Sequence, residues 1–121
     1  MKNHKELLVW QKAHKLVLLV YSVSENFPVE EKYNLTSQVR RAATSIPTNI
    51  AEGCGKFTQP DFAKYLQDAL GSTQEIEYLS FLSFELSYIA STEKYNELDK
   101  KINEVKAMLI SLILKVRKGL K

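Results

Sequence analysis

Residues 37–56, SQVRRAATSIPTNIAEGCGK, decide how this chain folds. Leu35, Val39, Ala42, Ala43, Ile46 and Ile50 recur at three- and four-residue spacing, the period of a helix with one buried face. Asn34 or Thr36 fits the N-cap, and Gly53 and Gly55 close the helix. Pro47 stands inside it. Proline lacks an N–H and crowds the carbonyl of Ala43, so a kink is expected there. Ser37, Arg41, Thr44, Ser45, Thr48 and Glu52 lie away from the apolar face. Most are small, where a solvated helix carries long charged side chains. The expectation is a helix packed on both sides, by its own bundle and by a neighbouring protomer.

The flanking segments have the same period. A first helix is expected from about Leu7 to Phe27, with Trp10, Ala13, Val17 and Val20 on one face; Phe27-Pro28 ends it. A third begins at Thr58, with Pro60 and Asp61 in its first turn, and is expected to reach about Ala90. Ser91 or Thr92 caps a fourth, which carries Leu98, Ile102, Val105, Leu109, Leu112, Val116 and Leu120 on one side. Short loops between long helices make neighbours antiparallel. The expected fold is all-α: an up-down-up-down four-helix bundle, one domain over residues 1–121, with helix 2 kinked at Pro47.

The composition agrees with this architecture. A length of 121 residues suits one core, and 45% hydrophobic residues exclude a disordered chain. Four glycines and three prolines leave room for few turns. The single cysteine, Cys54, excludes an internal disulfide framework and fits a reducing cytoplasm. The opening residues MKNHKELLVW lack a signal-peptide pattern, and no long uncharged apolar run predicts a membrane span.

The net charge of +3 is mild, but its distribution is uneven. Residues 58–90 hold one lysine against five acids, and residues 91–121 hold eight cations against four acids. Lys115, Arg117, Lys118 and Lys121 crowd the end. Two readings stand: capping of a helix dipole, or a patch that contacts phosphates together with Lys12 and Lys15.

The second half of helix 3, EYLSFLSFELSYIA, is apolar around most of its circumference. A helix apolar all round is buried all round, and three partner helices cannot cover every side. Leu79, Leu82, Leu86 and Ile89 are therefore expected at an interface between copies. Glu77 falls within the stripe of Leu66, Leu70, Thr73 and Phe84, where a carboxylate needs a partner. Arg40 and Arg41 are adjacent and diverge by about 100°. One of them is expected to pair with Glu77 first, Glu75 second, or Glu52 locally, and so to fix the assembly.

LVWQKAHKLVLLVY, then FPVEEKYNLTSQVRRAATSIPTNIAEGCGK, then ALGSTQEIEYL resemble the 23S rRNA-intervening sequence protein family. The likeness covers residues 7 to about 90. Its most specific part, RRAxxSIPxNIAEG, stands here as Arg40 to Gly53. The family pattern often has Gly at the position of Asn34 and Arg at that of Lys56; the second change keeps the charge. The resemblance implies a bacterial protein and a ring-shaped homopentamer of four-helix bundles. A relative in diversity-generating retroelements associates with a reverse transcriptase and nucleic acid. An adaptor for RNA, DNA or a nucleic-acid enzyme is therefore implied, with a purely structural interaction bundle as the alternative.

No enzyme chemistry is expected. The two histidines, His4 and His14, do not follow a Glu by three residues, so the di-iron pattern of helical bundles is not met. No metal or other cofactor is expected. Gly53-Cys54-Gly55-Lys56 resembles part of a phosphate loop, but it follows a helix and reads better as a C-cap.

Overall fold

The computed structural model describes residues 2–119. Four long helices carry the fold: α1 (Leu8–Ser24), α2 (Leu35–Cys54), α3 (Gln59–Glu85) and α4 (Thr92–Lys118). Single 3-10 turns, His4–Glu6 and Val29–Glu31, precede α1 and α2. Helix α1 packs on α2 and α4, and α3 packs on the same two, while the diagonal pairs do not approach closely. This is the square arrangement of an up-down-up-down bundle.

Much of its core comes from the expected stripes, with Ile76 of α3 outside them. Leu16, Ile46, Ile50, Leu66, Ile76, Ile102 and Leu109 are fully buried and come from all four helices. Helix α2 runs unbroken through Pro47. It approaches α3 closely. A Cβ on Gly53 would stand 2.9 Å from the Tyr65 Cβ and 3.1 Å from Phe62, so only glycine fits without displacement. Further along, Ser72 Oγ donates to Ser45 Oγ at 2.9 Å. Part of the small-residue face of α2 is thus covered by α3 of the same chain. The hydroxyls of Thr44 and Thr48 donate back to the carbonyls of Arg40 and Thr44.

The caps follow sequence with one substitution. Thr58 accepts from the Asp61 amide, and Ser91 from that of Lys94. Asn34 occupies the N-cap of α2 without a capping bond of its own. The Glu31 carboxylate, three residues earlier, accepts from the Leu35 amide at 3.3 Å instead. Its other oxygen accepts the Tyr88 hydroxyl at 2.9 Å, which ties the α1–α2 and α3–α4 connections together.

Helix α3 ends five residues before the expected Ala90. The amide of Ser87 bonds to the Phe84 carbonyl and that of Tyr88 to the Ser83 carbonyl, both at 2.9 Å. This crossed pair is a Schellman ending, and Ser87 takes its left-handed position with φ 64°. Glycine usually fills that site, so a serine there gives no sequence signal. The turn folds Ile89 back into the core, 4% exposed, while Leu86 points outward.

Candidate nucleic-acid interface

The expected pairing of Arg40 or Arg41 with Glu77 does not form within the chain. Glu77 meets Lys106 at 2.8 Å across the α3–α4 seam, and Lys106 also donates to Gln74 at 2.9 Å. That hydrogen bond from Lys106 holds the Glu77 carboxyl below its ordinary range. The reading failed because Leu70 and Phe84 are only partly buried, and Phe84 stacks on Tyr95 of α4 with ring centres 4.4 Å apart, so they do not mark the centre of the buried face. The centre runs through Leu66, Thr73 and Ile76, with Glu77 beside it. Glu75 and Glu52 are both exposed and form no salt bridge among the described residues.

Arg40 instead clamps α2 to α1. Its Nε donates to Ser24 Oγ at 2.9 Å, and its guanidinium lies 4.6 Å from the Tyr21 ring centre. Arg41 is exposed and, among the described residues, donates only to Ser37 Oγ, at 3.1 Å.

The expected interface residues divide. Leu79 and Ile89 are buried in their own chain, and Leu82 packs partly against the core. Ile89 lies beyond α3, so the helical wheel misplaced it. Leu86 alone is exposed, at 45%. Other apolar side chains are left uncovered, among them Tyr78 and Phe81 on α3 and Ile110 and Leu114 on α4.

The up-down topology sorts charge toward the two ends. One end gathers the start of α1, the α2–α3 turn, the first turns of α3 and the last turns of α4. Lys2, Lys5, Lys56 and Lys64 lie there with Lys115, Arg117 and Lys118. Glu6, Glu52 and Asp61 are the acids of that end. The opposite end carries Glu25, Glu30, Glu31, Glu85, Glu93 and Glu97 against Lys32, Lys94 and Arg40, which bonds the last residue of α1, with Arg41 beside it. Lys2, Lys56, Lys64 and Lys5 were missed in the sequence because they are scattered along it; only the bundle brings them to the terminal cluster.

The expected patch is itself dispersed. Lys115 lines a groove with Leu7, Leu8 and Met108 between α1 and α4. Arg117, two residues on and turned by about 200°, lines a groove with Pro60, Lys64 and Gln67 of α3. Lys118 is exposed, and Lys121 lies outside the described residues. Lys12 reaches Glu104 at 3.7 Å, which offsets its charge, while Lys15 is exposed.

Two further features stand near this end. Trp10 stacks on His14 with ring centres 5.3 Å apart, and His4 meets its edge at 4.9 Å. With Pro47, Thr48 and Glu52 they line a groove between α1 and α2. Cys54 is buried, and burial raises its thiol pKa. Among the described residues there is no group of three or more metal-ligating side chains, and no helix is long and apolar enough to cross a membrane.

The 23S rRNA-intervening sequence protein model matches residues 5–111. The chain belongs to that family. The match extends past the stretch that carries the sequence resemblance and takes in most of α4. A solved structure from Bacteroides thetaiotaomicron, a protein of unknown function in the S23 ribosomal protein family, superposes with a TM-score of 0.79. It shares 29% identity over 88% of this chain and 98% of its own. No curated protein matches.

Proposed function

We propose that this member of the 23S rRNA-intervening sequence family is a non-catalytic adaptor that works as a homo-oligomer in contact with nucleic acid. The gathering of cations at one end carries this reading. Phosphate contacts supply most of the sequence-independent affinity for nucleic acid, and a clustered basic surface is their electrostatic footprint. A non-catalytic role accords with Cys54, whose raised pKa disfavours the nucleophilic thiolate. Its buried free thiol also suits a reducing cytoplasm.

The oligomer is supported by apolar side chains that the bundle leaves uncovered. Tyr78 and Phe81 share a face of α3 by their three-residue spacing, and Ile110 and Leu114 share one of α4 by their four-residue spacing. A pentamer is the copy number that the family resemblance implies.

Retention on immobilised polynucleotide across a salt gradient tests the partner class. Retention that weakens steeply with salt supports the reading; flow-through at low salt favours the protein-interaction bundle. Light scattering at micromolar concentration should give several times 13.9 kDa, and a monomer overturns the oligomer.

A further inference from the structure

Phe57 is 89% exposed, more than any other large apolar side chain among the described residues. Sequence position offers an ordinary explanation. Phe57 precedes the α3 N-cap, Thr58, and Phe62 is the fourth residue of the helix. That is the spacing of a hydrophobic staple, in which the two side chains pack together. The exposure shows that the Phe57 ring is not covered in this way. Phe62 is buried at 2% exposure, with the Lys2 Nζ 5.7 Å from its ring centre.

The surroundings of Phe57 are cationic and polar. Lys2, Lys56, Phe57 and Gln59 line one cleft at the α2–α3 turn. Pro60, Lys64, Gln67 and Arg117 line a second, and Gln59 and Pro60 are the first two residues of α3, one in each cleft. The carboxylate of that turn is Asp61, which lines neither. The like charges around the ring disfavour a two-fold contact of this end with itself. An open ring among such charges suits a polyanion that also presents flat π faces. Bases of a duplex are stacked on one another, whereas those of a single strand are free to stack on a side chain.

We propose that the basic end binds single-stranded nucleic acid, with Phe57 as a stacking surface for a base and Lys2, Lys56, Lys64 and Arg117 on the flanking phosphates. This deepens the adaptor reading and rests on it.

Fluorescence anisotropy with dye-labelled oligo(dT), oligo(U) and a mixed-sequence duplex of equal length tests the proposal. The two single strands separate DNA from RNA as the preferred source. The wild-type chain should prefer single strand to duplex. Phe57→Ala should weaken single-strand binding by about fivefold to about a hundredfold, the range for one lost base stack, and leave duplex binding unchanged. Phe57→Trp should retain it. Lys56→Ala and Arg117→Ala should weaken both forms and reduce the single-strand salt slope by about 0.7 each. Equal affinity of Phe57→Ala and wild type for single strands overturns the proposal, as does an equal loss on duplex. A change of oligomeric state on Phe57→Ala, with strand affinity intact, assigns the ring to a second copy and also overturns it. Wild-type chain that binds neither form overturns the adaptor reading itself.

Discussion

Glu77 and Lys106 face each other at 2.8 Å across the α3–α4 seam, with about a third of the carboxylate side chain and a quarter of the lysine still in solvent. An ion pair in that setting contributes at most about 1 kcal/mol, because water screens it and two long side chains lose freedom. Stranding one partner of a fully buried pair costs about 3–5 kcal/mol, and Glu77 is not in that class. Glu77→Ala and Lys106→Ala should each lower stability at neutral pH by about 0.5–1 kcal/mol, read from urea midpoints.

The same pair sets a pH dependence. The Lys106 hydrogen bond keeps the folded Glu77 pKa below its ordinary value of 4.5. A depressed carboxylate pKa contributes stability that is complete above the unfolded pKa and is lost as pH falls through the folded one. The gap in stability between wild type and Lys106→Ala should therefore hold at pH 7 and narrow below the ordinary carboxylate range. Urea titrations across that range would show it; a gap that widens in acid would refute the pairing.

Gly53 and Gly71 make a matched test of packing. The space beside Gly53 is taken by Tyr65 and Phe62, while a Cβ on Gly71 meets nothing within 4 Å. Gly53→Ala should cost about 1–3 kcal/mol through overpacking at the α2–α3 crossing. Gly71→Ala should gain about 0.5–1 kcal/mol, since it only removes backbone entropy from an exposed helix position. Thermal melts of both variants would decide; a stabilised Gly53→Ala contradicts the close approach.

These outcomes bear on what sequence can reveal. Period alone placed four helices and most of the α2 and α4 core, because each bundle helix has one face to fill; on α3 it missed Phe62, Ala63, Ala69 and Ile76. It failed where one local conformation overrode the wheel. Ser87 in a left-handed turn ended α3, so the helical register that carried Ile89 to the expected interface no longer applied. Glu77 was misplaced by a smaller error, a rotation that took the α4 flank for the centre. Charge was the least legible. The basic end joins residues more than a hundred positions apart, and neither spacing nor composition signals that. Phe57 reads as a staple until its exposure is known.

Ser87→Gly follows from the Schellman ending. A non-glycine residue at φ 64° carries a steric cost of about 1–2 kcal/mol that glycine avoids, offset partly by the greater freedom of glycine in the unfolded chain. The variant should be more stable by about 0.5–1 kcal/mol, with an unchanged denaturant slope. Ser87→Val should be destabilised, because a branched Cβ suffers most there.

Arg40 and Arg41 are adjacent in sequence and separate in role. Arg40 bonds Ser24, a residue only 3% exposed, and stacks on Tyr21, so α1 and α2 share its guanidinium. Its removal leaves the Ser24 hydroxyl short of a donor and uncovers the Tyr21 ring. Arg40→Ala should cost about 1–2 kcal/mol. Arg40→Lys should recover little, since an ammonium lacks the planar group that reaches both partners. Arg41 hydrogen-bonds Ser37 on the exposed side of α2. Arg41→Ala should stay within about 0.5 kcal/mol of wild type. Urea midpoints of the three variants at one protein concentration test the division. If Arg41→Ala costs as much as Arg40→Ala, its guanidinium is held by a contact outside the single chain. Repeating the midpoints over a tenfold concentration range would then show whether that contact is a second copy, because only an assembled state makes stability depend on concentration.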